Sequence, residues 1–561
     1  MISMAVNTII NRKLPCYKRV LFHQWKMSSL LCFAFGLSLT SIAQSSIPHL
    51  QMNGNTRQLI VNNKPFLMLG GELGNSSASS RAFMQPVWGK LQAMHINTVL
   101  MPVYWELIEP EENKFDFTLI DSLVSDAANN NIHLVLLWFG TWKNSMSVYV
   151  PEWVKKDTKR FKRTISKESR SMEIISALSK EALDADCKAF ATLMKHIKAT
   201  DGGRQTVIMV QVENEVGMLS TAKETQQDAL QLFNRQVPAA LMQYLQHHQN
   251  NIVPELKERW SKGSYKTKGT WKEVFGNGLA TDEIFQAYLY ASYVDKVAAA
   301  GKQEYNIPMY VNAALNRPGV LPGDYPSAGP LPQVMDIWKM AAPHIDFLSP
   351  DFYNPDTKYW CDLYTRRNNT LFIPEIRFDS SDAAKAFFTI GHYHSLGFSP
   401  FAVERGSEEA VQNLQKSYSV LQQLTPFIMQ STPSQMDGVL LDKQNETDTL
   451  SFGNYIFKIS HDNTIGWNGH KGDSLWDATG AIIIQTAPDE FIVGGTGIII
   501  NFYYTDTAYN TGILAIENGT FNNGNWQPNL RLNGDEDHQG RHLRIPLNEW
   551  DIQKVKLYRY K

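Results

Sequence analysis

Two apolar runs of the sequence end on carboxylates, a residue type suited to acid and base chemistry. The run 207–210 leads into Gln-Val-Glu-Asn-Glu, in which Glu213 and Glu215 flank Asn214. A later run leads into Pro-Glu-Ile-Arg, whose carboxylate is Glu375. Burying a charged side chain is costly unless it is paired or used, so each run predicts a strand that stops where a functional edge begins. Two carboxylates brought together can act as a proton donor and as a nucleophile or base.

Both runs belong to a series of short stretches rich in Val, Ile, Leu and Phe, with helical patterns between them. Strands that are covered on both faces have this continuous apolar character. Eight such runs predict an α/β fold, the (β/α)8 TIM barrel, whose sites lie at the C-terminal ends of the strands. The predicted strands are 66–71, 98–104, 133–138, 207–212, 309–312, 347–352, 371–375 and 398–403. The spacing of apolar residues predicts an outer helix over 185–198.

Glu215 ends the fourth predicted strand and Glu375 the seventh, and these strands face each other across the mouth of such a barrel. Carboxylates that converge there suit hydrolysis of a glycosidic bond: one protonates the departing oxygen, and the other attacks the anomeric carbon or activates water. Glu213 and Glu215 share a face of a regular strand, so alternation does not separate them. Because Glu215 lies nearer the mouth, we assign it as the acid/base, and Glu213 as a buried, hydrogen-bonded support.

Four motifs surround these residues along the chain. They are Gln-Val-Glu-Asn-Glu-Val-Gly at 211–217, Trp-Glu-Leu-Ile-Glu-Pro at 105–110, Phe-Asp-Phe at 115–117 and Val-Pro-Glu-Trp-Val at 150–154. With them, the chain over about residues 58–405 resembles glycoside hydrolase family 35, retaining barrel enzymes of clan A, in particular bacterial members with an uncharacterised β-rich C-terminal domain. The resemblance implies that Glu375 is the nucleophile, Glu215 the acid/base and Asn214 a contact to the sugar 2-hydroxyl. It also implies a β-galactoside substrate and places Tyr353 near the nucleophile.

The chain departs from this family in segments that contact the sugar. The segment 138–144 lacks the family's Ala-Glu-Trp, and 70–75 lacks its aromatic residue. We expect side chains of these two segments to rebuild the lost contacts. The candidate sugar contacts besides Asn214 and Tyr353 are Glu72, Tyr104, Trp142, Asn144 and Trp360. For Tyr104 and Trp360, packing within the protein is the alternative.

Composition limits the partners. Lys and Arg number 53 against 55 Asp and Glu, a formal net charge of −2, so no broad basic field predicts nucleic-acid binding. A carbohydrate is the expected partner, and 11% aromatic residues suit stacking on sugar faces. No cofactor is expected, and no metal at His392 and His394 or at 535–537, because neither group has a complete ligand pattern. Cys187 and Cys361 cannot form a disulfide framework, and the oligomeric state stays open.

Changes in composition along the chain predict three parts. Basic residues, an apolar run at 30–39 and Ser-Ile-Ala before Gln44 predict a cleavable signal peptide over 1–43, with no membrane insertion of the mature chain. The barrel occupies 44–430, and short β-prone runs with turn residues predict an all-β, sandwich-like domain over 431–561. That domain either binds glycan or buttresses the barrel. The polar insertion 219–284 is either a lid, an oligomer contact or a solvated helical excursion.

These observations together predict a secreted or periplasmic retaining β-glycosidase, an exo-acting β-galactosidase that removes terminal β-D-galactose from oligosaccharides or polysaccharides. Two alternatives keep the same fold. An endo-acting β-glycanase would have an open groove in place of a pocket. A catalytically dead carbohydrate-binding barrel is disfavoured by the presence of both candidate carboxylates.

Overall fold

The structure is a computed structural model that describes residues 46–166, 168–532 and 540–561. The predicted signal peptide at 1–43 and the acidic run at 535–537 lie outside these residues. Within them, no helix combines the length and the apolar character needed to cross a membrane. The described residues belong to one compact unit.

A closed barrel of eight parallel strands forms the centre of the first part of the chain. The strands of this part are β1 (His49–Asn53), β2 (Thr56–Val61), β3 (Lys64–Phe66), β4 (Met68–Glu72), β5 (Thr98–Tyr104), β6 (His133–Phe139), β7 (Arg163–Ile165), β8 (Ser171–Ile175), β9 (Val207–Val212), β10 (Met309–Ala314), β11 (Phe347–Phe352), β12 (Ile373–Ile376) and β13 (Gly397–Pro400). The barrel order is β4-β5-β6-β9-β10-β11-β12-β13, which closes on itself, while β1–β3 form a small antiparallel sheet and β7–β8 a hairpin. The prediction of a TIM barrel is confirmed.

The limits of the barrel strands follow the apolar runs, with small differences at the ends. The second, fourth and sixth strands have the predicted limits. The first begins at Met68 because Phe66 instead pairs with Leu59 in the small sheet. The last ends at Pro400, since Ala402 adopts a φ of +49° and starts a turn.

Helices surround the barrel and fill its connections. They are α1 (Arg81–Ala93), α2 (Trp105–Ile108), α3 (Thr118–Asn129), α4 (Glu152–Lys156), α5 (Lys180–Asp201), α6 (Gln227–Phe233), α7 (Ala239–His247), α8 (Pro254–Ser261), α9 (Trp271–Phe275), α10 (Leu279–Glu304), α11 (Met335–Ala341), α12 (Thr357–Tyr364), α13 (Asp382–Tyr393) and α14 (Glu408–Gln430). The outer helix predicted over 185–198 is the middle of α5. Its apolar stripe, which includes Phe190, Leu193 and Ile197, is fully buried.

The insertion after β9 is a packed subdomain rather than a solvated excursion. Its helices α6–α9 contribute fully buried apolar side chains to the core, among them Leu241, Leu256 and Phe275. The carboxylate of Asp336 on α11, also fully buried, accepts hydrogen bonds from the Tyr244 hydroxyl (2.9 Å) and the Val253 N–H (2.7 Å).

The C-terminal part is an antiparallel β-sandwich, as predicted. Its strands are β14 (Met436–Leu441), β15 (Thr447–Phe452), β16 (Tyr455–His461), β17 (Thr479–Ala487), β18 (Glu490–Thr496), β19 (Ile498–Tyr504), β20 (Asn510–Asn522), β21 (Asn525–Arg531), β22 (His542–Ile545) and β23 (Asp551–Tyr560). They form sheets of order β14-β17-β18-β23-β20-β21 and β15-β16-β19-β22. Alternate residues of β17 face opposite cores: Ile483 packs between the two sheets, and Ile482 and Ile484 pack against the barrel helices.

Where α13 meets β14, the sandwich packs on the barrel with almost no space between the two backbones. A Cβ atom on Gly391 of α13 would lie 2.8 Å from the Cα of Gly438 on β14. A Cβ atom on Gly438 would lie 2.8 Å from the carbonyl oxygen of Phe387. Helix and strand therefore pack backbone to backbone, and the predicted division at 430/431 falls between α14 and β14 while the apolar core continues across it.

Asp336 gives a test of the insertion's packing. It also pairs with Arg367 at 2.8 Å, so Asp336→Ala leaves a partly buried guanidinium and a backbone N–H without their acceptor. Breaking such a buried pair costs about 3–5 kcal/mol. We expect a lower urea midpoint and faster proteolysis between residues 239 and 275.

The matched control is Asp336→Asn, which keeps an acceptor oxygen and has a smaller loss. An unchanged midpoint and unchanged proteolysis in Asp336→Ala would show that the insertion is held by other contacts.

Candidate active site

The backbone turns sharply where β9 ends, and this turn separates the two glutamates of the first motif. Glu213 has a φ of +62° and Glu215 a φ of +41°, both in the left-handed region that residues other than glycine rarely adopt. Each such residue costs on the order of 1 kcal/mol, which the surrounding contacts must offset. The two carboxylates consequently make different contacts, although a regular strand would place them on one face.

Glu213 is the buried support that the sequence predicts. It is fully buried, and its carboxylate accepts hydrogen bonds from the backbone N–H groups of Thr141 (3.2 Å) and Trp142 (2.7 Å). Burial first, and then the nearby carboxylate of Asp186, raise the pKa of Glu213 well above its ordinary value. Glu213 thus fixes the loop after β6 against the end of β9.

An amide network holds the rest of the turn. Asn214 donates its side-chain N–H to the carbonyl oxygen of Lys143 (2.9 Å) and accepts from Gln211 (2.6 Å) and Asn312 (3.1 Å). Asn312 on β10 also accepts from the backbone N–H of Glu215 (2.9 Å). The turn that carries Glu215 is therefore tied to two neighbouring elements. The predicted contact of Asn214 with a sugar hydroxyl stays a prediction.

Glu375 is the last residue but one of β12 and lies among further carboxyl groups. Its side chain is 4% exposed, and its Oε1 accepts a hydrogen bond from the hydroxyl of Tyr353. Burial, and then the charge of Glu215, raise the pKa of Glu375 to about 7, although Lys143 and the Tyr353 hydroxyl act in the opposite direction. Asn312 links the two predicted catalytic carboxylates, because it accepts from the Glu215 N–H and donates to Asp351, which stands opposite Glu375 in the strand register.

Glu72 and Asp351 complete this cluster, and both are buried. The carboxyl of Glu72, at the end of β4, lies close enough to Glu375 for each to disfavour the charge of the other, and Oε2 of Glu375 is buried without a hydrogen-bond partner among the described residues. Asp351 stands opposite Glu375 in the register of β11 and β12 and accepts from Asn312 at 2.7 Å. Burial and then the charge of Glu375 raise the pKa of both Glu72 and Asp351.

Lys143 supplies a positive charge to the cluster. The side chain is almost buried, and its Nζ lies 3.5 Å from Oε2 of Glu215. Burial opposes the charge of Lys143, but the surrounding carboxylates outweigh it, Glu215 first and Glu375 next, so the pKa of Lys143 lies above its ordinary value. An aliphatic residue here would leave the carboxylates to repel one another in a poorly solvated site.

Three of the predicted sugar contacts hydrogen-bond within the protein instead, and a fourth, Trp360, is buried without a hydrogen-bond partner for its indole N–H among the described residues. The Tyr104 hydroxyl donates to the carbonyl of Asn75 (2.7 Å), and the Trp142 indole N–H donates to the carbonyl of Ile175 (3.1 Å). Asn144 caps its own loop by accepting from the Ser147 N–H (2.8 Å), and Trp360 is buried on α12. For these residues, contact with sugar stays a prediction. Their positions and contacts within the protein do not favour it. Glu72 and Tyr353, in contrast, lie beside Glu375.

Sequence reasoning missed three residues of the cluster: Lys143, Asn312 and Asp351. The signal for two of them was available, because Asn312 and Asp351 are polar residues within apolar barrel runs, the pattern that drew attention to Glu215. Lys143 lies in a loop segment that differs from the family pattern, so only its placement beside Glu215 reveals its role.

The fold and the site together define a TIM barrel whose mouth gathers carboxylates, the architecture of many glycoside hydrolases. Residues 58–286 match the family model Glycosyl hydrolases family 35, which confirms the resemblance for the first part of the barrel. Residues 414–544 match a model described as Domain of unknown function (DUF5597), which begins within α14 and covers most of the sandwich.

Several known proteins are similar to parts of this chain. A β-galactosidase of Xanthomonas manihotis is 28% identical over 195 residues, which cover 34% of this chain and 30% of the relative. The match to the solved β-galactosidase of Bacillus circulans sp. alkalophilus has a TM-score of 0.45 at 15% identity. It covers 65% of this chain and 57% of the β-galactosidase chain. The β-galactosidase of Marinomonas ef1 has a TM-score of 0.44 at 12% identity, over 65% and 62% of the two chains. The chain thus spans less than two thirds of each relative.

The burial of Glu375 has a consequence for stability that can be measured. Its pKa rises from 4.5 to about 7 on folding, so the folded state loses stability as the pH rises through this window. At higher pH the penalty reaches about 3 kcal/mol. Because Gln cannot ionise, we expect Glu375→Gln to have a higher melting temperature than wild type at about pH 8 and no such advantage at about pH 4.

The control is Glu111→Gln, which removes an exposed carboxylate and leaves the melting temperature almost unchanged at both pH values. Equal melting temperatures of wild type and Glu375→Gln across the whole range would contradict a buried, destabilised carboxylate.

Proposed function

We propose that this protein is a retaining β-glycosidase that removes terminal β-D-galactose from oligosaccharides or polysaccharides. The observation that carries the proposal is the convergence of two carboxylates at the barrel mouth. Asn312 accepts from the N–H of Glu215, just after β9, and donates to Asp351, which stands opposite Glu375 of β12 in the strand register. The family match of residues 58–286 and the galactosidase relative support the reaction class and the sugar.

In the first step, Glu375 attacks the anomeric carbon while Glu215 gives its proton to the departing oxygen. The bond from the anomeric carbon to the leaving group breaks as the bond to the Glu375 carboxylate forms. The Tyr353 hydroxyl, which donates to Oε1 of Glu375, orients the attacking carboxylate. In the second step, Glu215 takes a proton from water, which displaces Glu375 and releases the sugar with its configuration retained.

Burial of the carboxylates supports action on chain ends. Glu375 is 4% exposed, and the Glu215 side chain is 14% exposed. A pocket that encloses one terminal sugar covers its carboxylates to this extent.

The sequence before Gln44 supports export. Its basic residues, apolar run and small residues at 41–43 form a leader that directs the mature protein to the periplasm or to the medium.

Hydrolysis of nitrophenyl β-glycosides tests the reaction and the sugar. We expect wild type to cleave the β-galactoside in preference to the glucoside, xyloside and mannoside. Glu375→Ala should lose activity by at least about a thousandfold and recover part of it with azide, because the small anion replaces the missing nucleophile. NMR of the rescued product should show the α-galactosyl azide, formed by one displacement.

Glu215→Ala is the matched variant. Azide attacks the glycosyl enzyme in this variant and should yield the β-galactosyl azide after two displacements. If wild type releases no sugar from any glycoside but still binds oligosaccharide, the protein is a carbohydrate-binding barrel. If it cleaves only the interior of a polymer, the endo-acting alternative holds.

The pH dependence of kcat/KM tests the part played by Lys143. Glu375 must be ionised to attack, so activity should fall as the pH drops below its pKa of about 7. The charge of Lys143 lowers that pKa, and Lys143→Met should therefore move the acidic limb to higher pH.

Lys143→Arg keeps the positive charge and should leave the limb closer to its original position. An acidic limb that is identical in wild type and Lys143→Met would contradict an electrostatic role for this lysine.

A further inference from the structure

A cleft of about 680 Å³ lies where the barrel mouth meets the C-terminal sandwich, and the catalytic scheme does not use it. Its volume is within the range of about 300–1,000 Å³ that is typical of ligand sites. The barrel contributes loops after β11 and β12 and the start of α14, and the sandwich contributes the opposite wall. The lining residues that the inference uses are Tyr353, Arg377, Asn413, Asn548 and Trp550.

One end of the cleft touches the candidate catalytic site. The Tyr353 hydroxyl donates to Glu375, while the same side chain, 44% exposed, lines the cleft. Arg377, two residues after Glu375, also lines the cleft, and its guanidinium lies 5.9 Å from the centre of the Tyr353 ring. A molecule bound in the cleft would therefore approach the sugar whose bond is broken.

The lining suits an uncharged polar chain. Arg377, Asn413 and Asn548 have no hydrogen-bond partner for their side chains among the described residues, so their donors and acceptors are available to a ligand. Planar amide and guanidinium groups match the paired hydroxyls of a sugar. Trp550 adds aromatic surface on the sandwich side, whereas the ring of Trp476 is already covered by Lys443, whose Nζ lies 3.9 Å from its centre.

The charges of the lining disfavour an anionic polymer. The cleft contains two cationic side chains and four carboxylates. The cations are Arg377 and Lys385, and the carboxylates are Asp379, Glu409, Asp442 and Asp477. Lys385 is already paired, at 3.1 Å, with Asp382. An acidic glycan or a phosphate would thus meet a net negative wall.

We propose that this cleft binds the leaving-group side of a neutral oligosaccharide or polysaccharide, so that the C-terminal domain takes part in substrate binding. The leaving-group side is the part of the substrate that can enter the cleft. In exo action the terminal sugar carries no further units on its other side. The inference rests on the proposed function and extends it to the sugars on the leaving-group side of the cleaved bond.

The test compares substrates that share the terminal sugar but differ in leaving group. The variant is Asn413→Ala with Asn548→Gly. Alanine suits position 413 within α14, and glycine suits position 548, where φ is +66°. The matched control is Gln412→Ala with Asn523→Gly, which makes the same kind of change on the exposed side of α14 and at another turn, where φ is +49°.

We expect the ratio of kcat/KM for a β-1,4-galactopentaose to that for nitrophenyl β-galactoside to fall about tenfold in the cleft variant, as for the loss of two hydrogen bonds. The loss should be smaller for the disaccharide, and the control should keep the wild-type ratio. Asn413→Trp, which fills the cleft, should lower the ratio further. An unchanged ratio in both cleft variants would overturn the proposal.

Failure of the proposed function is distinguishable from failure of the cleft. If wild type cleaves no nitrophenyl glycoside, the proposed activity is wrong, and binding of the pentasaccharide is then measured by calorimetry. Weaker binding by the cleft variant than by the control supports the cleft. Equal affinities of the two proteins overturn it.

Discussion

Burial of several carboxyl groups at one barrel mouth is the constraint on which the site depends. Glu72, Glu215, Asp351 and Glu375 lie so close that their charges disfavour one another, and Lys143 offsets only part of this repulsion. Such a cluster lowers the stability of the fold. The structure sustains it with fixed donors: the Tyr353 hydroxyl on Glu375 and the Asn312 amide on Asp351.

The turn after β9 shows how the backbone serves this cluster. Left-handed conformations at Glu213 and Glu215 direct one carboxylate to the N–H groups of the β6 loop and the other toward Lys143. Glu213 thereby stabilises the loop that carries Lys143, and Asn214 holds the carbonyl of the same lysine. One short motif thus provides both a structural residue, Glu213, and a candidate catalytic residue, Glu215.

Much of the fold could be predicted because barrel strands are buried on both faces and read as apolar runs. The same logic located Glu215 and Glu375, since a carboxylate at the end of such a run is conspicuous. It does not reach features that depend on tertiary packing. Tyr104 and Trp142 sit in the right segments, yet hydrogen bonds to distant carbonyls occupy their polar atoms. The insertion also looked solvated from its composition, because the apolar contacts of α7 and α8 come from elements far along the chain.

The glycine pair at the junction of α13 and β14 bears on how this architecture could be rebuilt. At Gly391 and Gly438 two main chains touch without intervening side chains, so no change of side chain can adapt this junction to a different neighbour. A barrel expressed without the sandwich would expose the apolar surface of α13 and α14 to water. Such a barrel would be prone to self-association. Replacing the C-terminal domain with an unrelated one would disrupt this junction. We therefore expect Gly391 and Gly438 to be inherited together.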